Sequence, residues 1–192
     1  PSVDISPEYG GATGWIIANN TIANENDRAA IVVWGAVKNS RIVNNIFYEN
    51  GRNRAGAYAQ GIDFVFSAAT PPSGLVVNNN ISYATAPGGT VFMGGSGATQ
   101  GVHYTQSGNI VNTANPDFFD PAAGDFGLRL LSPAIDAGAT VSEVTQDFTG
   151  DPRPNGPNYD IGAFEGSGSH PDPLSLIGGG PGGGGSGTPC CQ

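Results

Sequence analysis

The carboxylates come first, because their spacing admits chemistry. The stretch DFFDPAAGD places Asp117, Asp120 and Asp125 within nine residues. Three carboxylates brought this close can share Ca2+, a hard cation that takes oxygen ligands. The same stretch contains Asn115-Pro116 and Asp120-Pro121, which are turn formers and give those residues a structural reason to be there. Ca2+ or no cofactor at all are therefore the two expectations. A second acidic set, Asp147, Asp151, Asp160 and Glu165, brackets Arg153 and reads as a structural ion pair of a cap. Asp63 with Glu49 or Glu25 could supply the carboxylate pair of glycoside hydrolysis only if separated segments are folded together. His103 and His170 have no cysteine or carboxylate at ligand spacing.

The elements that must position these groups are announced by repetition. WIIANNTIANEN from Trp15, RIVNNIFYENG from Arg41 and LVVNNNISYAT from Leu75 each run β-branched residues into paired asparagines and out to another apolar residue. Asparagine is a poor strand former, so a recurring pair marks a corner between two short strands. A second apolar run follows each unit after a loop: AAIVVWG, GIDFVFS and GTVFMGG. Two strands around a corner and a third after a loop make one coil of a three-sided solenoid, with coils stacked in parallel at the ~4.8 Å strand spacing. Alignment on the asparagines puts Asn20, Asn45 and Asn79 in one column, expected to hydrogen-bond from coil to coil as a ladder. Asn45 is expected to take the left-handed backbone of the turn.

Alternation assigns the faces. Ile31, Val33, Ile62, Phe64, Val91 and Met93 are expected inside, which leaves Trp34, Val65 and Phe92 as an outer apolar stripe suited to sugar stacking or a protein interface. The sequons Asn19-Asn20-Thr21 and Asn80-Ile81-Ser82 fall on the repeat corner and are explained by it.

The repeat resembles that of right-handed parallel β-helix proteins, the pectate-lyase-like superfamily. Three motifs strengthen the likeness: SPAIDAG at Ser132 to Gly138, D-x-x-G-x-P-R at Asp147 to Arg153, and DIGAFE at Asp160 to Glu165. Together they are similar to the closing segment of many secreted bacterial β-helix proteins, and the resemblance spans residues 15 to 165. It implies an all-β fold, a right-handed parallel β-helix of about four coils with a C-terminal cap, and a secreted or cell-surface location. Lyases of the superfamily use a basic residue to abstract a proton beside a Ca2+-neutralised carboxylate; Lys38 and Arg41 are the bases this resemblance would nominate. Both also read as basic residues on a solvated turn. The fold hosts enzymes and structural proteins alike, so it does not select a reaction.

Composition narrows the partners. Charged residues are only 12% of the chain, the formal net charge is −9, and Lys38 is the sole lysine. No row of cations exists to neutralise a nucleic-acid backbone, and no apolar run is long enough to span a membrane. An anionic polysaccharide would be repelled unless a cation bridged it. One domain and a tail are expected: residues 1–165 as the β-helix with its closing segment, and residues 166–192 as a Gly/Pro/Ser-rich low-complexity tail. The tail ends in Cys190 and Cys191, whose mutual disulfide would be strained; intermolecular pairing and an unpaired tail both remain open. Absence of an initiating methionine suggests a processed or excised product. SVDIS reads as a strand of a coil with no cap before it, so the first coil is expected to be open and to need a cover.

Two functions stay open at this point. One is a non-enzymatic extracellular protein that packs on copies of itself, through its open first coil and tail, into filaments. The other is the C-terminal part of a secreted polysaccharide lyase or glycoside hydrolase.

Overall fold

In the computed structural model the described residues are 3–5, 12–51, 59–66, 70–84, 91–95 and 97–166. The expected tail beyond Gly166, with His170, Cys190 and Cys191, lies outside them, as does most of the expected loop at 50–60. Every regular element among the described residues is a strand.

Three parallel four-stranded sheets carry the fold. The first contains β1 (Val3–Ile5), β5 (Ile31–Trp34), β9 (Ala59–Val65) and β12 (Val91–Gly95). The second contains β3 (Ile16–Ala18), β7 (Arg41–Val43), β10 (Leu75–Asn78) and β13 (Tyr104–Ser107). In the third stand β4 (Thr21–Ala23), β8 (Ile46–Tyr48), β11 (Ile81–Tyr83) and β14 (Ile110–Val111). The chain thus visits the three sheets in the same order four times, and each strand pairs with its counterpart one round later. A short parallel pair, β2 (Ala12–Thr13) with β6 (Val37–Lys38), sits between visits to the first and second sheets. Last comes an antiparallel hairpin, β15 (Phe118–Asp120) and β16 (Asp125–Leu128).

Register explains the packing. Ile17, Ile42, Val77 and Gln106 occupy one column across the second sheet. Ile22, Phe47, Ser82 and Val111 occupy one across the third. Columns of like residues facing inward make the core, in which Ile31, Val33, Phe47, Ile62 and Val77 are fully enclosed. Burying each such side chain contributes about 1.5–3 kcal/mol.

Three expectations need correction. Alignment on Asn79 would set Val76 in the column of Ile17 and Ile42, but Val77 stands there, because the third repeat carries three asparagines in a row; its ladder member is consequently Asn80, not Asn79. Phe92 does not join an outer stripe. The register of β12 shifts between Val91 and Met93, and Phe92 turns into the core at 7% exposure against Phe47, ring centroids 6.2 Å apart. Trp34 and Val65 remain paired neighbours, exposed and half-buried respectively. Finally, residues 132–166 do not cap the last round. They lie across the rounds, along the corner between the second and third sheets, as their hydrogen bonds to Asn79, Asn44 and Asn19 show.

Candidate functional interface

The corner is built from two adjacent asparagine columns with separate tasks. Asn19, Asn44, Asn79 and Gly108 hold the left-handed backbone, with φ of 54, 55, 51 and 64°. Asparagine and glycine tolerate that region best, which is why these types recur. It is therefore Asn44, not Asn45, that makes the turn.

The following residues, Asn20, Asn45, Asn80 and Asn109, form the ladder. Asn20 donates both its backbone N–H and its Nδ2 to Asn45 Oδ1, each at 3.0 Å. Asn45 does the same to Asn80 Oδ1, at 2.9 and 3.0 Å, and Asn80 to Asn109 Oδ1, at 2.9 and 3.0 Å. The second amide hydrogen of Asn45 serves carbonyl oxygens of its own and the preceding round, Val43 at 3.0 Å and Ile17 at 2.9 Å. Asn45 and Asn80 are completely buried, so their polar groups require these partners. Burial also leaves no room for a glycan on Asn80.

Side chains of the turn column point the other way and dock the segment 132–166. Asn79 Nδ2 donates to the Ala137 carbonyl at 3.1 Å. Asn44 binds Ala139 twice, Nδ2 to its carbonyl at 2.7 Å and Oδ1 from its N–H at 2.9 Å. Asn19 Nδ2 reaches the Asp160 carbonyl at 2.9 Å, and Thr21 Oγ1 accepts the Ala163 N–H at 3.1 Å. Gly162 has a φ of 102°, and a Cβ there would stand 2.6 Å from Ile46 Cδ1. Both facts demand glycine in the DIGAFE motif.

Arg153 ties that segment into one unit. Its Nη1 meets Glu165 Oε1 at 2.5 Å, with both side chains 1% exposed, and also donates to the Asp160 carbonyl; Nη2 donates to the Gly162 carbonyl at 2.8 Å. Glu165 Oε2 accepts the Asn155 N–H at 2.9 Å. Asp160 accepts N–H groups from Asp136 and Gly166. Burial pushes its carboxyl up to about 6 against those bonds. Burial acts in the same sense on Asp147, but bonds from the Glu165, Asp151 and Thr149 N–H groups and the Thr149 hydroxyl hold it below the ordinary value. Asp151 is exposed, and its side chain accepts the Thr149 hydroxyl at 3.3 Å. The ion pair is Arg153 with Glu165; Asp160 joins it through its backbone carbonyl, while its carboxylate serves the Asp136 and Gly166 N–H groups.

Other nominated residues are dispersed. Lys38 is exposed on β6, Arg41 is on β7 and Asp63 is half-buried on β9, so the three belong to three different sheets. Arg41 Nη2 is held 2.7 Å from Glu143 Oε1, on the docked segment. Asp120 and Asp125 face each other across the hairpin, but each turns an oxygen to a local N–H, of Ala123 and Gly127. Asp117 lies 3.9 Å from Arg129 Nε. Among the described residues no group of three His, Cys, Asp or Glu side chains is placed to hold a metal ion.

The most conspicuous unassigned surface is at the first round. β1, β3 and β4 are the edge strands of their sheets on that side. Val3, Trp15 and Ile16 are 37, 43 and 39% exposed there. A cavity of about 590 Å³ opens against Val3, Ile17, Asn20 and Ile22 and is walled by Phe126, Phe148 and Phe164. Because Val3, Ile17 and Ile22 stand in the inward columns, this cavity lies at an end of the core that no other described residue covers. Phe148, 81% exposed, stacks edge-on against Phe164 at 5.6 Å. The opposite end is more polar: the inward column of the second sheet finishes in Gln106, which donates to Gln100 Oε1 at 2.8 Å.

No protein-family model, curated protein or solved structure matches the chain. Sequence reasoning anticipated the strand within SVDIS but missed the walls. Nothing local in Phe148 or Phe164 announces that a distant segment folds back to this end.

Proposed function

We propose that the chain is a right-handed parallel β-helix of four three-sided coils, related to the pectate-lyase-like superfamily, that serves as an extracellular structural protein associating with copies of itself. The observation that carries this reading is the first coil: three strand edges, unpaired among the described residues, surround an apolar cavity. Exposed edges of parallel strands are templates for further strands, and an apolar end of a core gains by being covered. The SPAIDAG and DIGAFE motifs support the likeness, because Ala137, Asp160 and Ala163 within them make contacts that lash the closing segment to the coils. The enzymatic alternative draws no support from Lys38, Arg41 and Asp63, which lie on separate sheets.

Sedimentation velocity of the full chain over a wide concentration range tests the reading. Self-association should appear as a sedimentation coefficient that rises with concentration. Val3→Asp, which puts a charge on an edge strand at the cavity, should hold the protein monomeric. A wild-type chain that stays monomeric throughout would defeat the proposal.

A further inference from the structure

The ladder has a direction. At each of its three steps the residue of the earlier coil donates N–H and Nδ2 to the Oδ1 of the later one. Asn20 Oδ1 is consequently left facing the open first coil, without a hydrogen-bond partner among the described residues, and Asn20 is exposed and lines the cavity. At the other end, the Asn109 backbone N–H has no partner among the described residues. Asn109 Nδ2 donates to the Val77 carbonyl at 2.8 Å, as its predecessors do to theirs, but where they meet the next Oδ1 it has only Gln106 Oε1 at 3.5 Å. One end of the column is an acceptor and the other is the matching donor pair.

A second asymmetry runs beside it. The closing segment covers the corners at Asn79, Asn44 and Asn19 but not the fourth, where the turn residue is Gly108, exposed and without a docking side chain. At its far end the segment passes Thr21 and places Phe148 and Phe164 as walls of the cavity. Each chain therefore has one corner left bare at its last coil and a wall ready for one corner more beyond its first.

The geometry points to a defined junction between copies: the last coil of one chain seats on the first coil of the next, head to tail, with Asn109 N–H and Nδ2 donating to Asn20 Oδ1 of the neighbour. This deepens, and rests on, the self-association reading above. Phe148 and Phe164 of the upper chain then flank the bare Gly108 corner of the lower one. Gln100 bridges Tyr104 at the start of β13, so the junction is carried by the rest of that strand, the Asn109 corner and β14. A head-to-tail contact repeats without closing, so it propagates into filaments.

Polarity makes the two ends of the ladder respond differently to the same substitution. Asn109→Asp keeps the oxygen that accepts from Asn80 but turns a carboxylate toward the neighbour's Asn20 Oδ1. Asn20→Asp keeps an acceptor for the neighbour's donors, and its losses are internal: the Nδ2 bonds to Asn45 Oδ1 and the Ala18 carbonyl, replaced by a carboxylate oxygen facing Asn45 Oδ1. Each variant of the full chain, first shown by circular dichroism to be folded, is compared by sedimentation equilibrium. Association of Asn109→Asp should weaken at least tenfold while that of Asn20→Asp stays within about threefold of wild type. Equal weakening of both would mean the asparagines act only within the fold, and overturns the junction. Unchanged association in both, with Val3→Asp monomeric, would leave self-association standing and overturn the ladder junction alone. A monomeric wild type overturns both.

If Asn109→Asp does not fold, cross-linking reads the same contact. Phe148→Cys and Ser107→Cys chains, each also carrying Cys190→Ser and Cys191→Ser and a different tag, are mixed and treated with a short bismaleimide. Hetero-linked dimers are expected. Their absence, or a predominance of Phe148-to-Phe148 links, overturns the junction.

Discussion

Replacing Asn45 with alanine removes a side chain that sits at 0% exposure in the middle of the ladder. Its Oδ1 receives Asn20 N–H and Nδ2, and its Nδ2 serves the Ile17 and Val43 carbonyls and Asn80 Oδ1. Some of these partners are not orphaned. Val43 carbonyl still receives the Asn19 N–H at 3.2 Å, and Asn80 Oδ1 still receives the Asn45 backbone N–H at 2.9 Å. The Asn20 N–H and the Ile17 carbonyl do lose this partner. With a net ~1 kcal/mol per bond, and ~1–3 kcal/mol for a buried polar group left unsatisfied, the expected loss is about 3–5 kcal/mol. Against a typical total of about 5–15 kcal/mol, that is a large part of the stability. Urea unfolding followed by circular dichroism measures it as a fall in midpoint at unchanged slope. A loss under about 1 kcal/mol would refute the view that the asparagine column holds the coils together.

Three further predictions follow from the closing segment and the core. Arg153→Ala leaves Glu165 charged and buried, so stability should fall by about 3–5 kcal/mol in thermal or urea melts, and limited proteolysis should begin within residues 132–166. Asp160 has its folded pKa raised to about 6 from 3.8, so the folded state binds this proton more tightly than the unfolded chain. Its contribution is then fully present below about pH 3.8 and is lost as pH rises through about 6. Melts of wild type and Asp160→Asn across pH 4–7 should therefore diverge, the wild type losing ground to the variant as pH rises; parallel profiles would contradict this assignment. Ser82 is buried at 1%, its hydroxyl has no partner among the described residues, and it stands in the inward column between Phe47 and Val111. Ser82→Ala should raise stability by about 1 kcal/mol, seen as a Tm increase of about 2–4 °C.

Much of the architecture was legible because it repeats. Ile31 with Val33 and Ile62 with Phe64 alternate along their strands, and that alternation marks the inward face correctly. Where repetition faltered, so did the reading. LVVNNN offers two equivalent pairs of asparagines, and only the pairing of Val77 with Ile42 selects Asn80 over Asn79. At GTVFMGG the strand shifts register between Val91 and Met93, an irregularity that strict alternation cannot foresee. Of the four acids set around Arg153, Glu165 pairs with it through its carboxylate and Asp160 through its backbone carbonyl. The location of this set along the coils was invisible, because contacts such as Asn19 to Asp160 join residues 141 apart and depend on the whole winding. Of the cavity lining, the strand within SVDIS was within reach of the sequence, while Phe148 and Phe164 were beyond it.

The claim that the first coil is an association surface is tested most directly by hydrogen exchange of the full chain at low and high protein concentration. Peptides covering residues 12–23, which contain the edge strands β3 and β4, should exchange rapidly when dilute and become protected as concentration rises. Protection in β7 and β8, already between two neighbours, should change little. Exchange in residues 12–23 that is indifferent to concentration would contradict the account.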